Sequence, residues 1–232
     1  MIRPRLLALV VPALLLAAPL PAQERASSAA RAPATPAAPR APIGVNGFVS
    51  VSSMRPSASD SFRAAGLGSS ATEIGGGVQV TNLWRHLFVQ GAVSTWDGSG
   101  ERAFVDAIGN RFPLGIPLEV STTYVDVTAG WKFTLGARGF AQRVRPYVGA
   151  GVGFANYSES SPFAEGGDDI DERFTSTHFL GGVEVALHRW VGVAADLKFR
   201  NIPDAFGDGI AGALRDDNLG GTSAGIRIIV GR

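Results

Sequence analysis

Eight ionisable side chains recur along this sequence at positions that alternate with uncharged neighbours: Glu73, Asp126, Lys132, Glu184, Asp196, Lys198, Arg200 and Arg227. Asp126 lies between Val125 and Val127, and Arg227 between Ile226 and Ile228. Side chains of a strand point to opposite faces in turn, so such charges share one face and the aliphatic residues the other. Acids and bases are balanced in this set. An isolated ion taken out of water is very costly, so inward charges of this kind must be paired or hydrated. The chemistry they offer is an ion-pair ladder that fills and stiffens an interior, or a set of exchangeable pairs that opens a water path. A ring of eight strands leaves an interior just filled by side chains, which favours the ladder.

Catalysis has a weaker basis. Ser176, His178 and Glu184 fall on one face of a single segment, the residue types a lipid-modifying barrel enzyme would need as nucleophile, base and carboxylate. Ser and Glu are ordinary on a polar face, so no catalytic residue is expected. His86 and His188 adjoin short turns, and no His-x-x-x-His spacing occurs. The chain has no Cys, which removes thiolate metal sites and disulfides. The acidic run Glu165-Gly166-Gly167-Asp168-Asp169-Ile170-Asp171-Glu172, and Asp204, Asp208, Asp216 and Asp217 further on, could offer carboxylates to Ca²⁺, but without the ordered spacing of an EF-hand. Solvated acidic loops are the expectation, with no metal and no cofactor.

The elements that carry these residues are eight alternating segments: Ile43–Ser52, Ala71–Thr81, Arg85–Trp96, Pro117–Phe133, Arg145–Tyr157, Arg173–Leu187, Trp190–Ile202 and Thr222–Gly231. The connections Ser53–Ser70, Asp97–Ile116, Ser158–Glu172 and Pro203–Gly221 are long and rich in Gly, Ser, Asp and Pro. Asn82–Trp84 and His188–Arg189 are tight, and Thr134–Val144 is intermediate. Long and short connections in alternation predict a barrel with short periplasmic turns and long outward loops. Aromatic residues gather near both ends of the segments, Trp84, Trp131, Phe133 and Trp190 at one, and Trp96, Tyr124, Phe154, Tyr157, Phe174 and Phe199 at the other, as two interfacial girdles would require. Trp96, Tyr124 and Tyr157 have the inward parity.

Residues 1–22 read as a secretory signal: Arg3 and Arg5, an apolar run from Leu6 to Ala18, and a small residue, Ala22, before Gln23. The run is short for a spanning helix, which needs about 20 residues. Residues 23–42 form an Ala/Pro-rich linker, and residues 43–232 one barrel domain. Without the signal, 19 basic and 20 acidic residues remain, a balance that gives no support for a nucleic-acid partner. Gly makes up 30 of 232 residues, and many stand inside the strand-like segments. Small inward residues leave room for larger neighbours in a narrow barrel.

The predicted fold is all-β, an eight-stranded antiparallel up-and-down transmembrane β-barrel in the bacterial outer membrane. A soluble secreted carrier of lipocalin type has the same strand rhythm with the polarity reversed. The outer-membrane reading is preferred because glycines and charges share one face, whereas a solvated exterior would carry many Lys and Glu.

The chain resembles the small outer-membrane β-barrel family, the OmpA-type transmembrane domain and opacity-protein-like barrels. The resemblance covers Ile43 to Arg232. It rests on Arg145-Pro146-Tyr147-Val148-Gly149-Ala150-Gly151-Val152-Gly153 and on the closing strand Gly225-Ile226-Arg227-Ile228-Ile229-Val230. It implies outer-membrane lipid as surroundings and the barrel-assembly machinery as a partner during insertion. Family members usually close on an aromatic residue read by that machinery, where this chain has Val230-Gly231-Arg232. The expected function is non-enzymatic, envelope integrity or surface interaction through the outward loops, with a surface ligand the sequence does not name. The lipid-modifying enzyme and the lipocalin-like carrier are the alternatives, and a monomer is expected.

Overall fold

The fourth strand shows how the sequence chooses its faces. Asp126 and Thr128 are buried, while Val125, Val127 and Trp131 are exposed. In the computed structural model, which describes residues 43–105, 111–136, 138–161, 170–203, 205 and 218–231, all eight strands repeat this arrangement. The strands are β1 (Gly44–Pro56), β2 (Ala71–Thr81), β3 (Leu87–Val105), β4 (Arg111–Lys132), β5 (Val144–Ser160), β6 (Ile170–His188), β7 (Val191–Asn201) and β8 (Gly221–Gly231). A short helix, α1 (Ser59–Ala64), lies between β1 and β2, and a 3₁₀ turn, Gly139–Arg143, precedes β5. The signal, the linker, residues 165–169 of the acidic run, and Asp204, Asp208, Asp216 and Asp217 lie outside the described residues.

Every strand pairs antiparallel with its sequence neighbour, and β1 pairs with β8, so the sheet closes. Closure leaves no edge within the ring, as a lipid environment requires. Asp126, Glu184 and Arg227 face inward and Val127 and Ile228 outward, which is the reverse of a lipocalin and excludes that alternative. No helix among the described residues is long and apolar enough to cross a membrane.

Several predicted boundaries need correction. The stretch Asp97–Ile116 is largely strand, because β3 and β4 run on to Val105 and Arg111 as a projecting hairpin. A bulge between Glu101 and Ala103 shifts its register. Asp97, Ser99 and Glu101 interrupt the outward apolar alternation there, and the backbone ladder between β3 and β4 carries the strands on. Pairing of β4 with β5 begins only at Glu119, which leaves residues 111–118 with one partner strand. Pro113 and Pro117 stand on that stretch, and Pro lacks the donor that an added strand would use. The stretch Ser53–Ser70 likewise gives four residues to β1 and contains α1. Arg85 belongs to the β2–β3 turn, where Asn82 and Arg85 adopt left-handed φ values of 61° and 57°.

The predicted outer girdle is corrected too. Trp96, Tyr124 and Tyr157 point inward and are buried, and Phe174 packs against the same interior cluster. Parity decides their direction over composition. Phe154 and Phe199 do face outward, as do Trp131 and Phe133 at the short-turn end, where Trp84 and Trp190 stand exposed on the turns.

Inward glycines mark close approaches. A Cβ on Gly151 would stand 2.1 Å from the Val127 carbonyl oxygen and 2.6 Å from the His178 ring.

Candidate functional site

The inward face of β4 alone spells out the layers of the lumen. From the long-loop end it reads Leu118, Val120, Thr122, Tyr124, then Asp126 and Thr128, then Gly130 and Lys132. Apolar residues come first, ions in the middle, and a further cation last.

The outer layer is a cap. Phe62 of α1 packs its ring 5.5 Å from that of Trp96. Met54, Leu118, Val120, Tyr124, Tyr157, Ile202 and Leu219 complete the cluster. Trp96 Nε1 donates to the Tyr124 hydroxyl at 3.2 Å. The backbone N–H of Glu101 donates to the carbonyl of Ala65 at 2.9 Å, which fastens the helix connection to the projecting hairpin.

Beneath the cap, Asp126 gathers cations. Arg200 Nη2 donates to Oδ2 at 2.6 Å and Lys198 Nζ to the same oxygen at 3.2 Å. The Arg200 guanidinium stacks 3.5 Å from the centre of the Tyr124 ring and lies 3.8 Å from Glu73. Glu73 accepts from the Ser94 hydroxyl and, at 3.0 Å, from that of Ser223. A second group joins Arg227 to Asp196 at 2.7 Å and to the Gln90 amide oxygen at 2.6 Å. Arg227 also stacks 4.4 Å from the Phe48 ring centre.

A third group occupies the short-turn mouth. Lys132 donates to Glu184 at 2.5 Å and to Gln79 at 2.6 Å, and Arg145 approaches Glu184 at 3.5 Å. Gln79 donates to Gln90 at 3.3 Å, so an unbroken polar chain runs from Lys132 through both amides to Arg227 and Asp196. Phe48, Phe88, Tyr147, Leu180, Ala194 and Ile229 form an apolar collar around this chain. The structure therefore places Glu73, Asp126, Lys132, Glu184, Asp196, Lys198, Arg200 and Arg227 in three ion-paired groups within one lumen.

Gln79, Gln90, Ser94, Ser223 and Arg145 share this work, and the charge pattern alone does not single them out. Their inward parity is the signal that could have found them.

Ser176, His178 and Glu184 do not assemble for catalysis. His178 Nε2 pairs with Thr128 Oγ1 at 2.8 Å, and its Nδ1 lies 3.7 Å from Asp126. The buried Ser176 hydroxyl has no hydrogen-bond partner among the described residues, and Glu184 is held at the mouth by Lys132. All three side chains are enclosed in the lumen, away from lipid. Among the described residues, no group of three or more His, Asp and Glu is placed to hold a metal ion.

An apolar outer wall around paired ions is what a membrane-spanning barrel requires, and the sequence agrees at the level of family. The model of the outer membrane protein beta-barrel domain matches residues 11–226. The chain belongs to that family. It is accordingly a protein of the bacterial outer membrane. Among solved structures, the chain is similar to Neisserial surface protein A, with 15% identity and a TM-score of 0.43 over 80% of this chain and 96% of that one. It is also similar to Ail, the attachment invasion locus protein of Yersinia pestis, with 15% identity and a TM-score of 0.45 over 81% and 97%. The N-terminal barrel of Pseudomonas aeruginosa OprF gives 16%, 0.41, 81% and 97% in the same measures. No curated protein matches the sequence.

Proposed function

We propose that this barrel is a closed, non-enzymatic outer-membrane protein that presents its β3–β4 hairpin as an interaction surface outside the cell. The projecting hairpin carries the reading. Its outward face is polar from Thr95 to Glu101 on β3 and from Glu119 to Thr123 on β4, which marks the upper limit of the hydrocarbon. Beyond that limit Phe104 and Phe112 face each other across the ladder, ring centres 6.4 Å apart, and both remain exposed. A cross-strand aromatic pair adds little to the ladder, and exposed aromatic rings are the residue type on which interfaces anchor.

Closure is supported by the cap, since Phe62 and Trp96 cover the ion groups at the outer mouth. His178 is engaged by Thr128, and among the described residues Ser176 has no hydrogen-bond partner, so the trio gives the enzyme alternative no support.

The test compares cells carrying the wild-type chain with cells carrying F104S/F112S at equal outer-membrane level. Attachment to a panel of immobilised glycans and matrix proteins falls in the variant, while detergent resistance is unchanged. Equal attachment with lowered detergent resistance would move the role to envelope integrity. Refolded protein releases no acyl chains from lipid substrates; release that disappears in His178→Ala would make the barrel an enzyme.

A further inference from the structure

The short-turn mouth holds a concavity that the lumen network leaves open. It encloses about 1080 Å³ and is bordered by the ends of β1, β2, β5, β6, β7 and β8. Its lining has two chemistries. Arg143, Arg145 and Arg189 give it positive charge. Glu184 is the one carboxylate among its described lining residues, and Lys132 already binds it at 2.5 Å. Among the described residues, no carboxylate forms an ion pair with Arg143 or Arg189. Arg189 instead stands 5.7 Å over the ring of Trp190. Leu187 and Trp190 form the other wall, both exposed, and Leu187 has the outward, lipid-facing parity of β6.

Arginines without acidic partners beside a hydrocarbon-facing wall meet the two needs of an anionic amphiphile. Their level in the membrane narrows the choice, because short turns face the periplasm and meet the inner leaflet of the outer membrane. We propose that this concavity binds an anionic phospholipid of that leaflet, with the phosphate at Arg143 and Arg189 and an acyl chain along Leu187 and Trp190. Basic pockets at membrane boundaries bind lipid headgroups in this way. The chain's own preceding segment is the wrong partner by charge. Gln23–Pro42 carries Arg25, Arg31 and Arg40 against a single acid, Glu24.

The test uses the full mature chain with W84F/W131F, which leaves Trp190 at the site and Trp96 shielded under the opposite cap. The protein is refolded into phosphatidylcholine doped with equal fractions of either brominated phosphatidylglycerol or brominated phosphatidylcholine. Brominated phosphatidylglycerol quenches Trp190 preferentially. The preference falls about fivefold for each arginine replaced in R143Q and R189Q. It persists in R173Q, which alters a cation at the other end of the barrel. Soluble glycerophosphoglycerol, with the phosphate but no chains, does not relieve the quenching.

Equal quenching by the two lipids would overturn the proposal. So would a preference that survives R143Q/R189Q, or one that R173Q abolishes equally. Relief by the soluble headgroup would assign the concavity to a free anion rather than to lipid. Heat-modifiable mobility on gels confirms that each variant is folded.

Discussion

Arg200 on β7 donates to Asp126 on β4 across the lumen, at 2.6 Å. These strands are not neighbours in the ring, since β5 and β6 stand between them. The bond therefore ties opposite walls, in a place where both side chains are almost fully enclosed, at 3% and 2% exposure. Its partner Tyr124 stacks on the same guanidinium and links it to the cap through Trp96.

Removing one member of that pair strips a buried charge of its nearest counterion, leaving Arg200 with Glu73 at 3.8 Å or Asp126 with Lys198 at 3.2 Å. Asp126→Ala is expected to destabilise the barrel by about 3–5 kcal/mol. D126A/R200L should cost less than the two single changes together, because the residues share one network and the double change removes one buried acid and one buried base together. Urea unfolding in detergent or in vesicles measures both. A midpoint for D126A equal to wild type would show that the pair is not structural.

Glycines of opposite orientation should respond in opposite ways. Gly151 faces the lumen, where a Cβ would meet the Val127 carbonyl and the His178 ring. Gly91 faces out, and a Cβ there meets nothing within 4 Å. Gly151→Ala is expected to cost about 1–3 kcal/mol through overpacking. Gly91→Ala should be neutral or stabilise by about 0.5–1 kcal/mol, because Gly is a poor strand residue. Equal effects in an unfolding assay would contradict the inward and outward assignment.

The cap should come away without the barrel. Phe62 fixes α1 against Trp96, and Gly100 lets the hairpin approach so closely that a Cβ would stand 2.0 Å from the Ala65 carbonyl oxygen. Phe62→Ala and Gly100→Val should each release the helix. Trypsin then cuts faster after Arg63, and Trp96 emission shifts to the red. The unfolding midpoint of the barrel changes little, because the strand ladders are untouched. Unchanged cleavage in both variants would mean that the helix is held by something other than Trp96 and the hairpin.

What the sequence shows here depends on where the residue stands relative to hydrocarbon. Tyr124–Phe133 reveals its faces because lipid meets one side and ions the other. Asp97–Ile116 reads as a loop because Asp97, Ser99 and Glu101 break the apolar alternation, and Gly98, Gly100, Pro113 and Gly115 look like turn punctuation. The six residues of α1 are too few to display a helical period. For Trp96, Tyr124 and Tyr157, composition points to a girdle and parity to the interior. Parity prevails because a slip of one residue would turn the whole strand over. The membership of the charged set follows from alternation. Its pairing does not, since which acid meets which base depends on the stagger of strands as far apart as β4 and β7.

The joint between β1 and β8 has a consequence for biogenesis. Phe48 lies opposite Ile229, so the first strand finds its second mate only in the last one. Until β8 takes its place, the side of β1 that faces away from β2 has no strand to bond. A chain cut short before β8 would lack the strand that joins β7 to β1, and this ring could not close.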